Sequence, residues 1–143
     1  MNSTYVISPV GVIRKKEDMA FIEIEEGFED ALLGLDQFSH INVLTWFHKS
    51  DNSEKRSTLQ VHPRHDRKNP LTGVFATRSP ARPNLIALFR CGLVSIKGRI
   101  VELDHIDAYD GSPVIDIKPY IPSIDALPEA KVAWWAERES HST

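Results

Sequence analysis

The sequence predicts a mainly β domain with a few helices, in which an antiparallel sheet or barrel carries helices on one side. Short apolar segments recur along the chain and are separated by turn sequences such as Lys97-Gly98 and Asp110-Gly111. Only Gly27–Leu35 and Glu129–Glu139 are predicted as helices. No Gly-x-Gly-x-x-Gly motif follows the first strand, so the sequence does not predict the commonest nucleotide-binding fold.

The N-terminal part is predicted to form a hairpin, a helix and a core strand. Tyr5–Ile13 and Ala20–Ile24 are the two strands of the hairpin, and the short charged segment Arg14–Asp18 connects them. Apolar residues in Gly27–Leu35 have helical spacing, and Gly34 marks the end of that helix. Ile41–His48 is rich in β-branched and aromatic residues, which is typical of a core strand.

The C-terminal part is predicted to contain further strands connected by irregular segments. Arg78–Asn84 is not expected to form regular structure, because its two prolines remove backbone donors and restrict their neighbours. An extended, proline-containing tail is expected over Pro119–Pro128. The predicted strands are, in order, Leu59–His62, Gly73–Thr77, the hairpin Leu85–Ser95 with Arg99–Ile106, and Val114–Ile117.

Length and composition predict one domain over residues 1–143, with the barrel at about 5–128 and a terminal helix at about 129–139. The single cysteine, Cys91, excludes an intramolecular disulfide and is expected to be a small core residue. No apolar run is long enough to span a bilayer, so no membrane association and a cytoplasmic location are expected. Trp134 and Trp135 are expected to pack the terminal helix against the domain or a partner subunit.

The distribution of charge is uneven. A formal net charge of -3 argues against a non-specific nucleic-acid-binding protein, which normally carries an excess of Lys and Arg. Most of the arginines nevertheless fall within Lys49–Arg90, so a local basic surface is compatible with the acidic whole.

An arginine-containing segment is the first candidate site. Arg78 and Arg82 lie in a loop that contains two prolines, and Ser79 and Asn84 add neutral hydrogen-bonding groups. Guanidinium groups on such a loop are suited to bidentate recognition of a carboxylate or phosphate. The alternative is a tight connection whose arginines solvate the surface or pair with nearby carboxylates.

An acidic segment, 104–120, is the second candidate. Asp107, Asp110 and Asp116 form a carboxylate cluster near the barrel mouth or, alternatively, Asp110 only caps a turn. Asp116 and Lys118 share a strand face, where they are expected to pair with each other or with the arginine loop. No metal site is predicted, because no motif supplies a ligand set; the histidines in particular do not complete a zinc site.

Both segments occur in longer motifs. Phe75-Ala-Thr-Arg-Ser-Pro-x-Arg-Pro-Asn84, followed by Asp110-Gly-Ser-Pro-Val-Ile-Asp-Ile-Lys-Pro-Tyr120, resembles the paired signature of the TrmO/TsaA-like family of S-adenosylmethionine-dependent methyltransferases. This resemblance implies a small single-sheet β-barrel with flanking helices, usually a homodimer, that binds S-adenosylmethionine near the subunit interface. It also implies methylation of the N6 nitrogen of threonylcarbamoyladenosine next to the anticodon of tRNA.

The resemblance further implies roles for individual residues. Arg82 is expected to read the carboxylate on the threonyl arm of the substrate, and Asp107 or Asp116 to accept a proton. The implied cofactor contacts are Lys49, Ser50, Arg78, Leu88, His105, Ile106 and Asp107. The residues implied to line or support the site are Asn84, Asp110, Lys118 and Tyr120.

Three departures from the family pattern leave alternatives open. The connection Lys15–Met19 is short where the family often has a longer cofactor-binding loop, and Leu85 and Ala87 replace a proline and a glycine of the family motif. Longer members also carry a C-terminal domain thought to help with tRNA. The alternatives are therefore a methyltransferase for a small carboxylate-bearing metabolite and a non-catalytic S-adenosylmethionine-binding module.

Overall fold

The computed structural model describes residues 3–132, which form a closed antiparallel barrel and a separate two-stranded sheet. The predicted fold class is confirmed. Within the barrel the strands are hydrogen-bonded in the order β1-β2-β7-β6-β3-β8, and β4 pairs with β5 outside it. The strands are β1 (Gly11–Lys16), β2 (Met19–Ile24), β3 (His40–Trp46), β4 (Gln60–Val61), β5 (Thr72–Gly73), β6 (Ile86–Lys97), β7 (Ile100–Leu103) and β8 (Pro113–Pro119).

The barrel core follows from alternation along the strands. In β3, for example, Ile41, Val43 and Thr45 are buried, whereas the residues between them are only partly buried. Each fully buried aliphatic side chain contributes about 1.5–3 kcal/mol relative to an exposed one. The interior of the barrel is therefore filled by side chains. Its largest fully buried aliphatic residues in the strands are Ile13, Ile22, Ile41, Val43, Val101 and Val114.

Two predicted hairpins are confirmed. β1 and β2 pair from Gly11–Ile24 to Lys16–Met19, so only two residues form the turn. β6 and β7 pair up to Lys97 and Ile100 across Gly98, whose φ of +59° is accessible to glycine without a steric cost. The N-terminal connection is therefore shorter than the predicted segment Arg14–Asp18, because Arg14–Lys16 belong to β1 and pair with β2.

A second feature of β6 is a bulge between Leu93 and Ser95. The Asp104 carboxylate accepts a hydrogen bond of 2.8 Å from the Gly92 amide next to this bulge. A Cβ at position 92 would lie 2.5 Å from that carboxylate, so glycine permits the close approach. This contact fixes the point at which the chain leaves β7.

Several predicted boundaries are wrong. The first strand begins at Gly11, and residues 5–9 are exposed. Gly27–Leu35 contains only one 3₁₀ turn, Glu29–Leu32, which ends where Leu33 has a ψ of 122°, and a second 3₁₀ turn, Leu35–Gln37, follows Gly34. Gly73–Thr77 is a strand only as far as Gly73 and then turns through residues 74–76.

The C-terminal predictions have a mixed outcome. The extended tail contains one helical turn, α2 (Pro122–Asp125), and residues 129–132 are not helical. The rest of the predicted terminal helix, with Trp134 and Trp135, lies outside the described residues. The other short helix is α1 (Ser53–Arg56). Neither described helix has the length and apolar composition needed to span a bilayer.

Candidate functional site: a basic cleft beside the barrel

An open cleft of about 1140 Å³ lies between α1, the segment that follows β4, and the arginine loop. Its volume slightly exceeds the range of about 300–1,000 Å³ typical of pockets for drug-sized ligands. It therefore has room for a cofactor-sized molecule and part of a second one.

The cleft is basic. Among the described residues that line it, four are Lys or Arg, two are His and none is Asp or Glu. Since the whole chain has a net charge of -3, the positive charge is concentrated at this site. The basic residues are Lys55, His62, Arg64, His65, Arg67 and Arg78.

The arginine loop, residues 74–82, is held by its own hydroxyl groups. Thr77 Oγ1 donates to the Val74 carbonyl at 2.9 Å and accepts from the Ser79 amide at 3.1 Å. Ser79 Oγ in turn accepts from the Ala81 amide at 3.1 Å. Val74 and Ala81 are buried, so both ends of the loop are anchored.

The two arginines of this loop have different environments. Arg82 Nη1 donates to the carbonyls of Thr77 and Ser79 at 3.2 and 3.1 Å, which ties the loop together. Arg78 is exposed and lines the cleft, whereas Arg82 is not among its lining residues. Arg78 is therefore the arginine of the pair that is placed to meet a ligand in the cleft.

Arg56, in α1, also has an internal role. Its Nε donates to the Pro83 carbonyl at 3.0 Å, and its guanidinium lies over the Trp46 ring at 5.4 Å and pairs with Asp51 at 3.5 Å. Trp46 Nε1 donates to the same carboxylate at 3.0 Å. This network attaches α1 to the end of the arginine loop.

Two of the predicted cofactor segments meet at one point. Lys49 Nζ lies 4.0 Å from the centre of the Tyr109 ring, so the turn after β3 contacts the β7–β8 loop. Ser50, the next residue, lines the cleft. The structure therefore brings Lys49 and Ser50 close to the loop that contains His105 and Asp107.

Within that β7–β8 loop, the predicted residues differ in accessibility. His105 and Asp107 are exposed, but Ile106 is buried in the barrel core, so its side chain is not available to a ligand. Asp110 Oδ1 accepts from the Lys15 amide at 2.8 Å and thereby ties the loop to the β1–β2 hairpin.

Leu88 and Asp116 lie in one row across the outer face of the barrel. Leu44 pairs with Leu88 on one side and with Asp116 on the other. Neighbouring strands are about 4.7–4.9 Å apart, so two strand spacings separate the backbones of Leu88 and Asp116. These two residues therefore share a surface, although neither lines the cleft.

The remaining predicted site residues are Lys118 and Tyr120, at the end of β8, and Asn84, which follows the arginine loop. Lys118 Nζ pairs with Asp116 at 3.4 Å, which confirms the predicted pairing within the strand. The Tyr120 ring has the Arg90 guanidinium 5.9 Å from its centre. Asn84 is exposed at the end of the arginine loop.

Cys91 is confirmed as a core residue. It is buried, and burial, together with the Asp104 carboxylate, raises the pKa of its thiol from 9.0 to about 12. It therefore does not act as a nucleophile at neutral pH. Over residues 3–132, no group of three or more His, Cys, Asp or Glu side chains is arranged to hold a metal ion.

The sequence of this chain matches the family model of the tRNA-methyltransferase O N-terminal domain over residues 8–126. The chain belongs to this family. The predicted family is thus confirmed, as is the class that follows from it, an S-adenosylmethionine-dependent methyltransferase.

Relatives of this family fall into two groups. Probable S-adenosyl-L-methionine-binding proteins of Methanocaldococcus jannaschii and Pyrococcus horikoshii are 45% and 46% identical over 85% and 87% of this chain, and 96% and 89% of their own lengths. A mouse tRNA (adenine(37)-N6)-methyltransferase is 43% identical over 68% of this chain. This chain spans 22% of the length of the mouse protein.

A solved member of the family has the same fold. The crystal structure of TrmO from Pseudomonas aeruginosa superposes with a TM-score of 0.73 at 31% sequence identity, covering 92% of this chain and 62% of that structure. The structural likeness therefore extends over most of this chain.

Sequence reasoning missed half of the cleft. Lys55, His62 and His65 line the cleft although they belong to no recognised motif, and the exposed Phe75 lines it although its motif gave it no role. The excess of arginine within Lys49–Arg90 was the available signal. This signal did not show which arginines line the same cleft, because those arginines lie in irregular segments whose conformation is not predicted by sequence periodicity.

Proposed function

We propose that this protein uses S-adenosylmethionine to methylate the N6 nitrogen of threonylcarbamoyladenosine next to the anticodon of tRNA. The observation that carries the proposal is the basic cleft, which the exposed Arg78 lines while Arg82 braces the arginine loop. Family membership supplies the class of reaction, and the relatives named as tRNA (adenine(37)-N6)-methyltransferases supply the substrate.

The residues at the junction of the cleft and the β7–β8 loop fit the cofactor. S-adenosylmethionine carries a carboxylate, an ammonium group and an adenosine. Arg78 suits the carboxylate, Ser50 offers a hydroxyl, and the exposed Asp107 carboxylate suits a cationic group. The exposed Leu88 side chain offers apolar contact to the adenosine. When bound, the cofactor supplies an electrophilic methyl group on sulfur.

The task of the protein is then positioning. Holding two reactants in a well-aligned geometry lowers the activation free energy by about 7–11 kcal/mol. The substrate nitrogen belongs to a urea and is weakly nucleophilic, so a group that accepts its proton assists the reaction. We keep Asp107 as the first candidate, because it is exposed beside the Lys49–Tyr109 contact. Asp116 is the second candidate, with its carboxylate engaged by Lys118.

The residue that we assign to the carboxylate of the substrate differs from the one that the family resemblance implied. Arg82 Nη1 donates to two carbonyls of the arginine loop, which supports a role for Arg82 in bracing that loop. The carboxylate of the substrate is then left to another cationic side chain that lines the cleft. Arg82 as the reader of the threonyl arm stays a prediction, and it is tested below against this bracing role.

A homodimer is also part of the proposal. The outer face of β6 exposes Ile86 and Leu88 beside the partly buried Leu44 and Trp46. An apolar patch of this kind suits a partner subunit, which would then also cover Leu88, a predicted cofactor contact. We place the protein in the cytoplasm, where tRNA and the cofactor are available.

A second candidate function is supported by the archaeal relatives, which match over most of their length and are named only as S-adenosylmethionine-binding proteins. In that case the same cleft would bind a small carboxylate-bearing metabolite as methyl acceptor or would serve cofactor binding alone. Salt dependence separates the candidates, because phosphate contacts with tRNA weaken steeply as salt is added.

The direct test uses purified protein, isotope-labelled S-adenosylmethionine and two tRNA preparations, with and without the threonylcarbamoyl group. Nucleosides are analysed by mass spectrometry. The proposal predicts a labelled methyl on threonylcarbamoyladenosine and none on unmodified adenosine. Cofactor binding without transfer to either tRNA would overturn it in favour of the second candidate.

A further inference from the structure

One wall of the cleft is a loop with unusual backbone geometry. Arg64 and His65 have φ values of +61° and +56°, a conformation that residues other than glycine rarely adopt. Both residues line the cleft, as does Arg67 two positions later. Because such conformations are unfavourable, they persist only where the surrounding structure enforces them, and they concentrate at functional sites.

A buried asparagine enforces this conformation. Asn69 is 4% exposed, and its Nδ2 donates to the Pro63 carbonyl at 2.7 Å across the loop. The Asn69 amide donates to the Asp66 carbonyl at 2.9 Å, and the Asn69 carbonyl contacts His62 Nδ1 at 2.9 Å. The loop is thus closed from inside, while Arg64, His65 and Arg67 line the cleft.

The arginine loop adds an aromatic side chain to the same cleft. Phe75 lines the cleft, and its side chain is 83% exposed, which is unusual for a phenylalanine in a folded domain. An aromatic ring beside a row of cations is the arrangement by which proteins hold single-stranded nucleic acid, through base stacking and phosphate contacts.

We propose that residues 62–69 form a preorganised phosphate-binding loop for the RNA strand next to the methylated nucleotide, and that Phe75 stacks on one of its bases. Arg64 and Arg67 contact phosphates, and Asn69 is a positioning residue that acts through them. This inference rests on the proposed tRNA substrate. It assigns the loop to RNA and not to the cofactor, whose predicted contacts lie at Lys49–Ser50, Arg78 and the β7–β8 loop.

The first experiment measures tRNA binding against salt concentration for R64Q/R67Q, for the unaltered protein and for a matched control, R14Q/K97Q. The control removes two exposed cations that lie outside the cleft-lining set. The slope of log K against log[salt] should become shallower by roughly 0.7–0.9 per lost phosphate contact in R64Q/R67Q and change little in the control. S-adenosylmethionine affinity should be unchanged in all three proteins.

Two outcomes separate the proposals. If the unaltered protein binds and methylates tRNA but R64Q/R67Q has the slope of the control, or loses cofactor affinity equally, the loop inference is overturned alone. If the unaltered protein binds no tRNA, both the loop inference and the proposed function are overturned.

The second experiment tests the positioning role with Asn69→Ala and the base-stacking role with Phe75→Leu. Asn69→Ala should raise KM for tRNA on the order of tenfold, as expected for one lost hydrogen bond to a buried group, with kcat retained. Phe75→Leu should raise the same KM without changing the salt slope. A fall in kcat or in cofactor affinity of the same size as the rise in KM would contradict these roles.

Discussion

The barrel and the cleft of this molecule are stabilised by different interactions. The barrel contains buried aliphatic side chains and continuous strand pairing, and Ile13, Ile41 and Val43 are fully inaccessible to solvent. The cleft is built from irregular segments that are held by side-chain to backbone hydrogen bonds, such as those of Arg82 and Asn69. The barrel therefore determines stability, and the cleft segments determine where charged groups are presented.

This difference explains which properties should respond to substitution. Removing a barrel side chain leaves a cavity in a closely packed core, whereas removing a cleft side chain changes an open, solvated surface. Substitutions in the two regions should therefore separate stability from activity.

Ile41→Ala should have the largest effect on stability. Ile41 is fully buried in β3, which pairs with both β6 and β8. Removing such a side chain typically costs about 2–5 kcal/mol. Equilibrium unfolding in urea measures the change, and cofactor affinity of the folded fraction should be retained. If Ile41→Ala lost less stability than the exposed control Val94→Ala, the claim that buried barrel side chains determine stability would be contradicted.

Arg82→Ala should have an intermediate effect that extends to every activity of the cleft. Losing two hydrogen bonds to loop carbonyls leaves the arginine loop less ordered, at a cost of about 1–3 kcal/mol for groups of this kind. Cofactor affinity, measured by calorimetry, and tRNA turnover should fall together. If turnover falls and cofactor affinity is unchanged, Arg82 reads the substrate carboxylate as the sequence indicated.

Replacing Cys91 by alanine should change the free energy of unfolding at neutral pH less than the other two substitutions do. Its thiol pKa is raised to about 12 in the folded protein from 9.0, so the folded state retains the proton more strongly than the unfolded state. The resulting stability is complete below pH 9 and is lost as pH rises towards 12. Unfolding free energy measured from pH 8 to pH 11 for Cys91→Ala and for the unaltered protein should converge as pH rises. Rapid thiol alkylation of the folded protein at pH 8 would contradict this environment.

The sequence predicted the barrel well because its signals are local. The β-branched and aromatic composition of Ile41–His48 and the turn at Lys97-Gly98 each act within a few residues. The helix expected over Gly27–Leu35 is wrong, because apolar spacing alone does not reveal that the backbone leaves the helical conformation at Leu33, whose ψ is 122°. Val74–Ala76, expected to belong to a strand, forms a 3₁₀ turn that the Thr77 amide and hydroxyl close by donating to the Val74 carbonyl.

The site was only partly predictable for a physical reason. The motif containing Arg78 and Arg82 was recognised, but its sequence does not state which guanidinium turns back onto loop carbonyls. The positive φ values of Arg64 and His65 occur in a loop that Asn69, several residues away in the chain, closes by a hydrogen bond to the Pro63 carbonyl. Such side-chain to backbone bonds have no periodic sequence signature.

The most direct test compares methyl transfer to threonylcarbamoyl-tRNA by Arg78→Gln and by the control Lys97→Gln, with nucleosides analysed by mass spectrometry. Arg78 lines the cleft and Lys97 lies at the β6–β7 turn. A charge-assisted hydrogen bond is worth about 1.5–3 kcal/mol, so kcat/KM should fall roughly 10- to 150-fold in Arg78→Gln. The control should retain full activity, and both proteins should unfold at the same urea concentration. Equal activity of the two variants would contradict the assignment of the cleft as the site of methyl transfer.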